Sequence, residues 1–241
     1  MNIQQTRIII AALVLSTLAA CQAPAPITTA PQETLPDLQQ QYRDLARSSK
    51  VYVVDPAAST LRIYVYRNGA AAQLGHNHVL SAPKFEGYVS LPSEKAADAQ
   101  FEVRIALNDL VVDDPAIRTE TGGNFSGKRS PSDVEGTRDN MLSERGFDAE
   151  RFPIVRLRST GVEGDWPVLV AQVEITLHGV TRVLPVSLRA YHDDKQLTAS
   201  GSFLLRQSDF GMTPFSALGG LMAVQDGVVI SFELKANPAV F

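Results

Sequence analysis

The sharpest chemistry-bearing pattern in this 241-residue chain is Gly75-His76-Asn77-His78. In an extended segment residues i and i+2 point to one side, so His76 and His78 could face a single metal ion. A metal centre needs a third ligand, and a catalytic one needs an open position too. His178 and His192 are the other histidines, and no His-Glu-x-x-His run occurs. His178-Gly179 reads as a tight hairpin with Gly179 at φ > 0. Arg206-Gln207-Ser208-Asp209 reads as a bulge or loop with a local ion pair, and Arg138-Asp139 as a pair that caps or orients a helix. There is no Gly-x-Ser-x-Gly elbow, and Gly219-Gly220 lacks the rest of a phosphate loop. No nucleophile or acid–base pair stands out, so an enzyme is not expected.

Cys21 is the only cysteine. A short start with Arg7, an apolar run from Ile8 to Leu18 and small residues at Ala19-Ala20 make a secretory leader over residues 1–20. The apolar run of about 11 residues is too short for the roughly 20 that span a hydrocarbon core. Leu18-Ala19-Ala20-Cys21 resembles the bacterial lipobox, whose cysteine is acylated and becomes the new N-terminus. The expectation is a lipoprotein lipidated at Cys21, and Gln22 in place of Asp favours the outer membrane, with the domain facing the periplasm. Acylation leaves no thiol, which excludes disulfides, thiolate metal sites and cysteine nucleophiles together.

Around these residues the chain divides into stretches of different texture. Residues 21–36 hold Pro24, Pro26, Pro31 and Pro36 and read as a semi-extended tether. Residues 37–50 read as a short helix, with Leu38, Tyr42 and Leu45 on one face packed on the side or end of the β domain. From Val51 to Phe241 the period is two. Leu61, Ile63 and Val65 alternate with Arg62, Tyr64 and Tyr66. The same holds for Phe101 to Leu107, Val155 to Arg158, Leu169 to Leu177, Leu184 to Ala190 and Val228 to Lys235. One apolar and one solvated face per strand is the antiparallel pattern. Many strands with short turns in one domain mean a sandwich or a closed barrel. Pro115 to Pro153 interrupts the alternation. A helix is expected over Ser132 to Arg145, with Ser132 as N-cap and Glu135 three residues on, and Thr121 to Lys128 looks like an exposed loop. Met212 to Ala223 is apolar and reads either as a core-covering loop or short helix, or as a mobile flap over the barrel mouth.

Charge excludes one partner class. The chain has 22 Lys+Arg against 26 Asp+Glu, and losing the leader removes Arg7 alone, for a net −5. Nucleic acid calls for a clustered basic surface, and none is present.

Together the motifs resemble the YceI-like family of exported bacterial proteins. The resemblance runs from Val53-Val54-Asp55 through Gly75-His76-Asn77-His78 and Phe85-Glu86-Gly87. It continues through Arg138-Asp139-Asn140-Met141-Leu142, Phe147-Asp148, Phe152-Pro153 and Val173 to Arg182, to Gly201-Ser202-Phe203 and Arg206 to Met212. It implies an all-β fold, an extended antiparallel, lipocalin-like β-barrel with one or two short helices. It also implies a lumen that takes a long amphiphilic or polyisoprenoid-type lipid.

The residues expected to bind that lipid are the inward sets Leu61, Ile63, Val65, Val103, Ile105, Val173, Ile175, Val186, Leu188, Ile230 and Phe232. No cofactor is expected beyond a bound isoprenoid or fatty lipid. The partners are that lipid and a membrane reached through acylated Cys21; a homo-oligomer stays open. Two other functions stay open beside the tethered lipid-binding protein. One is a metal-binding protein or metal-dependent enzyme built on His76 and His78. For these residues the competing role is hydrogen bonding at a barrel mouth or to a lipid head group. The other is a structural envelope lipoprotein with a filled barrel and no ligand.

Overall fold

The computed structural model describes residues 35–241; the leader, Cys21 and nearly all of the Pro-rich stretch lie outside the described residues. The described residues form fourteen strands: β1 (Lys50–Val54), β2 (Thr60–Val65), β3 (Arg67–Asn68), β4 (His78–Ser81), β5 (Glu86–Leu91), β6 (Gln100–Ala106), β7 (Val111–Val112), β8 (Ile154–Asp165), β9 (Val168–Leu177), β10 (Val180–His192), β11 (Leu197–Arg206), β12 (Ser216–Ala217), β13 (Met222–Val224) and β14 (Gly227–Pro238). β1, β5, β6, β8, β9, β10, β11 and β14 pair in that order, and β1 returns to β14 to close an eight-stranded barrel. Closure leaves this ring no free edge. Every pairing is antiparallel, as the alternation requires.

β14 is long enough to serve two neighbours on one side. Its last residues pair with β1, and its middle pairs with β2, Phe232 opposite Leu61. β2 then carries β4, and β4 carries β7. The end of the barrel with the β8–β9 and β10–β11 turns is called upper. The β9–β10 hairpin marks the lower end, where His178 and Gly179 both have positive φ, 53° and 72°. That is the two-residue turn whose twist matches paired strands. A Cβ on Gly179 would come within 2.6 Å of the Phe152 ring, so the position also needs the absence of a side chain.

Among the described residues there are three short α-helices, one more than the upper expectation: α1 (Leu38–Leu45), α2 (Pro115–Thr121) and α3 (Pro131–Leu142). α2 has no long apolar face to announce it. It starts because Asp114 accepts from the amides of Ala116 and Ile117, with Pro115 in the first turn. α3 is capped by Ser130 rather than Ser132, in a reciprocal box with Asp133 rather than Glu135. Pro131 decides this: it suits the first helical position, so the cap is the residue before it. Arg138 donates to the carbonyls of Leu110 and Asn108 at 2.7 Å each, tying α3 to the lower end. The stretch from Thr121 to Lys128 is not a fully exposed loop. Phe125 is buried, edge-on to Tyr64 and Tyr66 at 5.5 and 5.4 Å.

α1 lies along the outside of the barrel. Leu38 and Tyr42 bury against Val51 and Tyr88, and the Tyr42 and Tyr88 rings stack at 5.1 Å. Beneath it Glu102, fully buried, accepts from Nε of Arg104 at 2.7 Å and from Nε and Nη2 of Arg156 at 2.8 and 2.9 Å. Burial opposes the Glu102 charge, but the two guanidiniums outweigh it and hold the carboxyl below its ordinary range. Burial, and then the Glu102 charge, push the Tyr42 hydroxyl well above its ordinary value. Of the Met212 to Ala223 stretch, Met212 is buried in the core, Leu218–Gly220 make one 3-10 turn, and none of it lines the lumen. β12, β13 and β3 make a separate small sheet that projects from the lower end.

Candidate functional site

The inward faces of the barrel strands enclose an apolar void of ≈ 120 Å³. All its lining side chains are aliphatic or aromatic. Aromatic walls come from Phe101, Phe203 and Phe232, and Trp166 stands at the upper end. Space is left because Ala99, Ala171, Ala190, Ala199 and Ala236 point inward where larger residues would meet. Gly201 adds to this. It sits opposite Phe232 and Leu188, and a Cβ there would come within 2.8 Å of the Phe232 ring. Apolar voids of this order stay dry and accept apolar guests. The upper rim is polar. Trp166 Nε1 donates to Glu94 O at 2.9 Å, and its ring meets His192 edge-on at 4.6 Å. Lys50 Nζ reaches Asp194 at 2.7 Å and Asp193 O at 3.0 Å, and the Tyr52 hydroxyl donates to Asp193 O.

His76 and His78 lie at the other end. His78 opens β4, whereas His76 precedes the strand, so the i, i+2 geometry does not extend over both. His78 Nδ1 is 2.6 Å from Asp113 Oδ2. Asp113 Oδ1 accepts from the Val79 amide at 3.0 Å and from Arg118, whose side chain is buried. Arg118 also donates to the carbonyls of Asn77, Ser126 and Gly127. Burial opposes the Asp113 charge, but His78, the Val79 amide and Arg118 hold it below the ordinary aspartate range. Burial, then Arg129 and His78, lower the pKa of His76. Among the described residues no group of three His, Cys, Asp or Glu side chains could hold a metal ion. His78 instead joins a buried network that clamps α2 and the loop after it onto β4.

Among known proteins, the family model for the YceI-like domain matches residues 52–236, nearly the whole barrel. The chain belongs to the YceI-like family. No curated protein matches it. Among solved structures this YceI-like chain is similar to BcnA of Burkholderia cenocepacia, with TM-score 0.56 and 17% identity over 76% of this chain and 99% of that one. It is also similar to a polyisoprenoid-binding domain from Saccharophagus degradans implicated in plant cell wall breakdown. That match has TM-score 0.54 and 14% identity over 78% of this chain and 98% of the other. Identities this low speak to the fold, which is the YceI-like barrel.

In this YceI-like lumen the residues expected from alternation divide by height. Leu61, Val103, Val173, Val186, Leu188, Ile230 and Phe232 line the void. Ile63, Val65, Ile105 and Ile175 point inward too, but not onto it. Ile63, Val65 and Ile105 pack at the lower end with the Leu80 and Val112 layer folded beneath the barrel, and Ile175 packs with Phe147 and Val155. Parity therefore placed them on the inner face, and only the extra strands turned that part of the interior into a plug. Val162 and Phe203 line the void without having been expected. A bulge between Ser159 and Gly161 reverses the parity of β8, so Leu157 and Val162 both face inward. β11 reads Leu197-Thr198-Ala199-Ser200-Gly201-Ser202-Phe203, and its alternation emerges once Ala and Gly count as inward residues. β5 shows no alternation because both faces are covered: Val89 lines the void, while Tyr88 lies under α1.

Proposed function

We propose that this YceI-like protein binds a long amphiphilic or polyisoprenoid-type lipid in its lumen and acts without catalysis, tethered through acylated Cys21 to the periplasmic face of the outer membrane. The observation that carries the binding is the apolar void closed in by all eight barrel strands. Each Å² of chain buried there contributes about 25 cal/mol, so a long hydrocarbon needs no polar anchor inside. The polar groups at the upper rim, Lys50, His192 and Glu94, suit an amphiphile whose head stays in water. The void holds a segment of chain as it stands. Likeness to a polyisoprenoid-binding domain supports the same reading. Among the described residues that line the void there is no nucleophile, acid or base, which favours carriage over chemistry.

Native mass spectrometry of freshly isolated protein, followed by lipid extraction, tests this. One long-chain lipid per barrel is expected. Ala171→Leu, which adds volume at a wall position 1% exposed, keeps the fold and weakens binding by roughly tenfold, about 1.4 kcal/mol. A barrel that holds no lipid on isolation, and takes none when offered polyprenyl phosphate or long-chain fatty acid, refutes the carrier.

A further inference from the structure

The lower end carries an apolar tip that neither the lumen nor the core uses. Leu74, Phe215, Leu218 and Leu221 are 64%, 44%, 66% and 50% exposed. They sit on one lobe. The Ala71 amide donates to Leu221 O at 2.9 Å, and the Val224 amide donates to Phe215 O at 3.0 Å. Leu218, Gly219 and Gly220 all have positive φ, which turns the chain sharply and holds Leu218 outward. No Asp, Glu, Lys or Arg occurs from Asn68 to Asn77 or from Met212 to Gln225. Arg67, at the base of the lobe, is folded back onto Gly75 O at 3.0 Å. An uncharged apolar projection with a cation at its base suits a lipid interface, where residues bury about 5–10 Å deep.

The course of the N-terminal segment selects the occupant. α1 begins beside the lower half of the barrel, where Arg104, which pairs with Glu86 and Arg156 near the lower ends of their strands, donates to Pro36 O at 2.6 Å. It then leads up to Lys50 at the upper rim. The chain therefore enters the domain on the same end as the tip. Residues 22–34 can reach at most roughly 45 Å at about 3.3–3.6 Å per residue, so an anchor at Cys21 keeps this end within range of the bilayer. Resting on the tethered reading for that orientation, we infer that the Leu74/Phe215/Leu218/Leu221 tip is a membrane-docking surface that seats the lower end of the barrel on a lipid bilayer and points the polar rim away from it.

The test uses the mature full chain and its single tryptophan, Trp166, which lies at the opposite end. Leu221→Trp adds a second reporter at the tip. Both proteins are mixed with vesicles of phosphatidylethanolamine and phosphatidylglycerol containing dibrominated phosphatidylcholine. Bromine is expected to quench the added tryptophan about twofold or more while leaving Trp166 unchanged. Adding Leu74→Ser and Leu218→Ser to Leu221→Trp is expected to abolish that quenching. Quenching of both tryptophans alike, of neither, or of Leu221→Trp regardless of the serines overturns the docking surface. A tip that binds another protein instead leaves its tryptophan unquenched. The anchor is read separately by palmitate incorporation. An unacylated chain with a quenched tip refutes the anchor alone, and an acylated chain with an unquenched tip refutes the docking surface alone.

Discussion

Asp113 shows why a pair of histidines two residues apart was only half informative. His76-x-His78 is visible in the sequence, but the partner of His78 lies 35 positions away and comes to it only through the β4–β7 pairing. The network has a measurable consequence. Asp113 is held below the ordinary aspartate value of about 3.9. Its stabilising contribution is therefore complete above that pH and is lost as pH falls below it, through the lower folded value. The melting temperature is expected to fall steeply below about pH 4. Asp113→Asn is expected to cost about 3 kcal/mol at neutral pH, because Arg118 stays buried without its counter-charge. Its acid limb should also be shallower, with Glu102 supplying what remains. Thermal unfolding against pH reads both, and an unchanged acid limb would show that Asp113 does not titrate with folding.

Among the elements, α1 and its packing on the side of the barrel were legible, and the charged cluster beneath it was not. Leu38, Tyr42 and Leu45 mark one face, and the structure buries Leu38 and Tyr42 on the outside of the barrel. What it covers, the Glu102 cluster, reads in the sequence as solvated polar positions on β6 and β8. Tyr42→Ala is expected to destabilise the domain by about 3–5 kcal/mol through the lost ring and the unseated helix. It should open residues 46–49 to protease and leave lipid capacity unchanged, because α1 touches the outer face only. Urea unfolding and limited proteolysis measure the first two effects. Loss of lipid in the same variant would mean that α1 also sets the shape of the lumen. β5 and the second half of β8 hid for related reasons. A strand covered on both faces loses its alternation, and a bulge resets it midway.

For the whole molecule, the proposal joins a barrel hollow above and plugged below to a membrane through one residue outside the described chain. Labelled palmitate is expected to enter the wild type and to be lost in Cys21→Ser, which should then leave the membrane fraction. Label that persists in Cys21→Ser would remove the anchor and leave the lumen intact as a soluble carrier. Acylation and the apolar tip are the membrane contacts proposed; among the described residues no helix is long and apolar enough to cross a membrane.

By itself the sequence determined that the domain is antiparallel β and which side chains share a face. Alternation and turn chemistry are local properties, readable from neighbours a few residues apart. Only the tertiary structure decided that the ring closes through β1 and β14, that Ile63, Val65 and Ile105 form a plug while Val173 and Phe232 border a void, and that His78 answers to Asp113. Each of these depends on residues far apart in the chain meeting at one height along the barrel. Parity says inside or outside, but it carries no information about height.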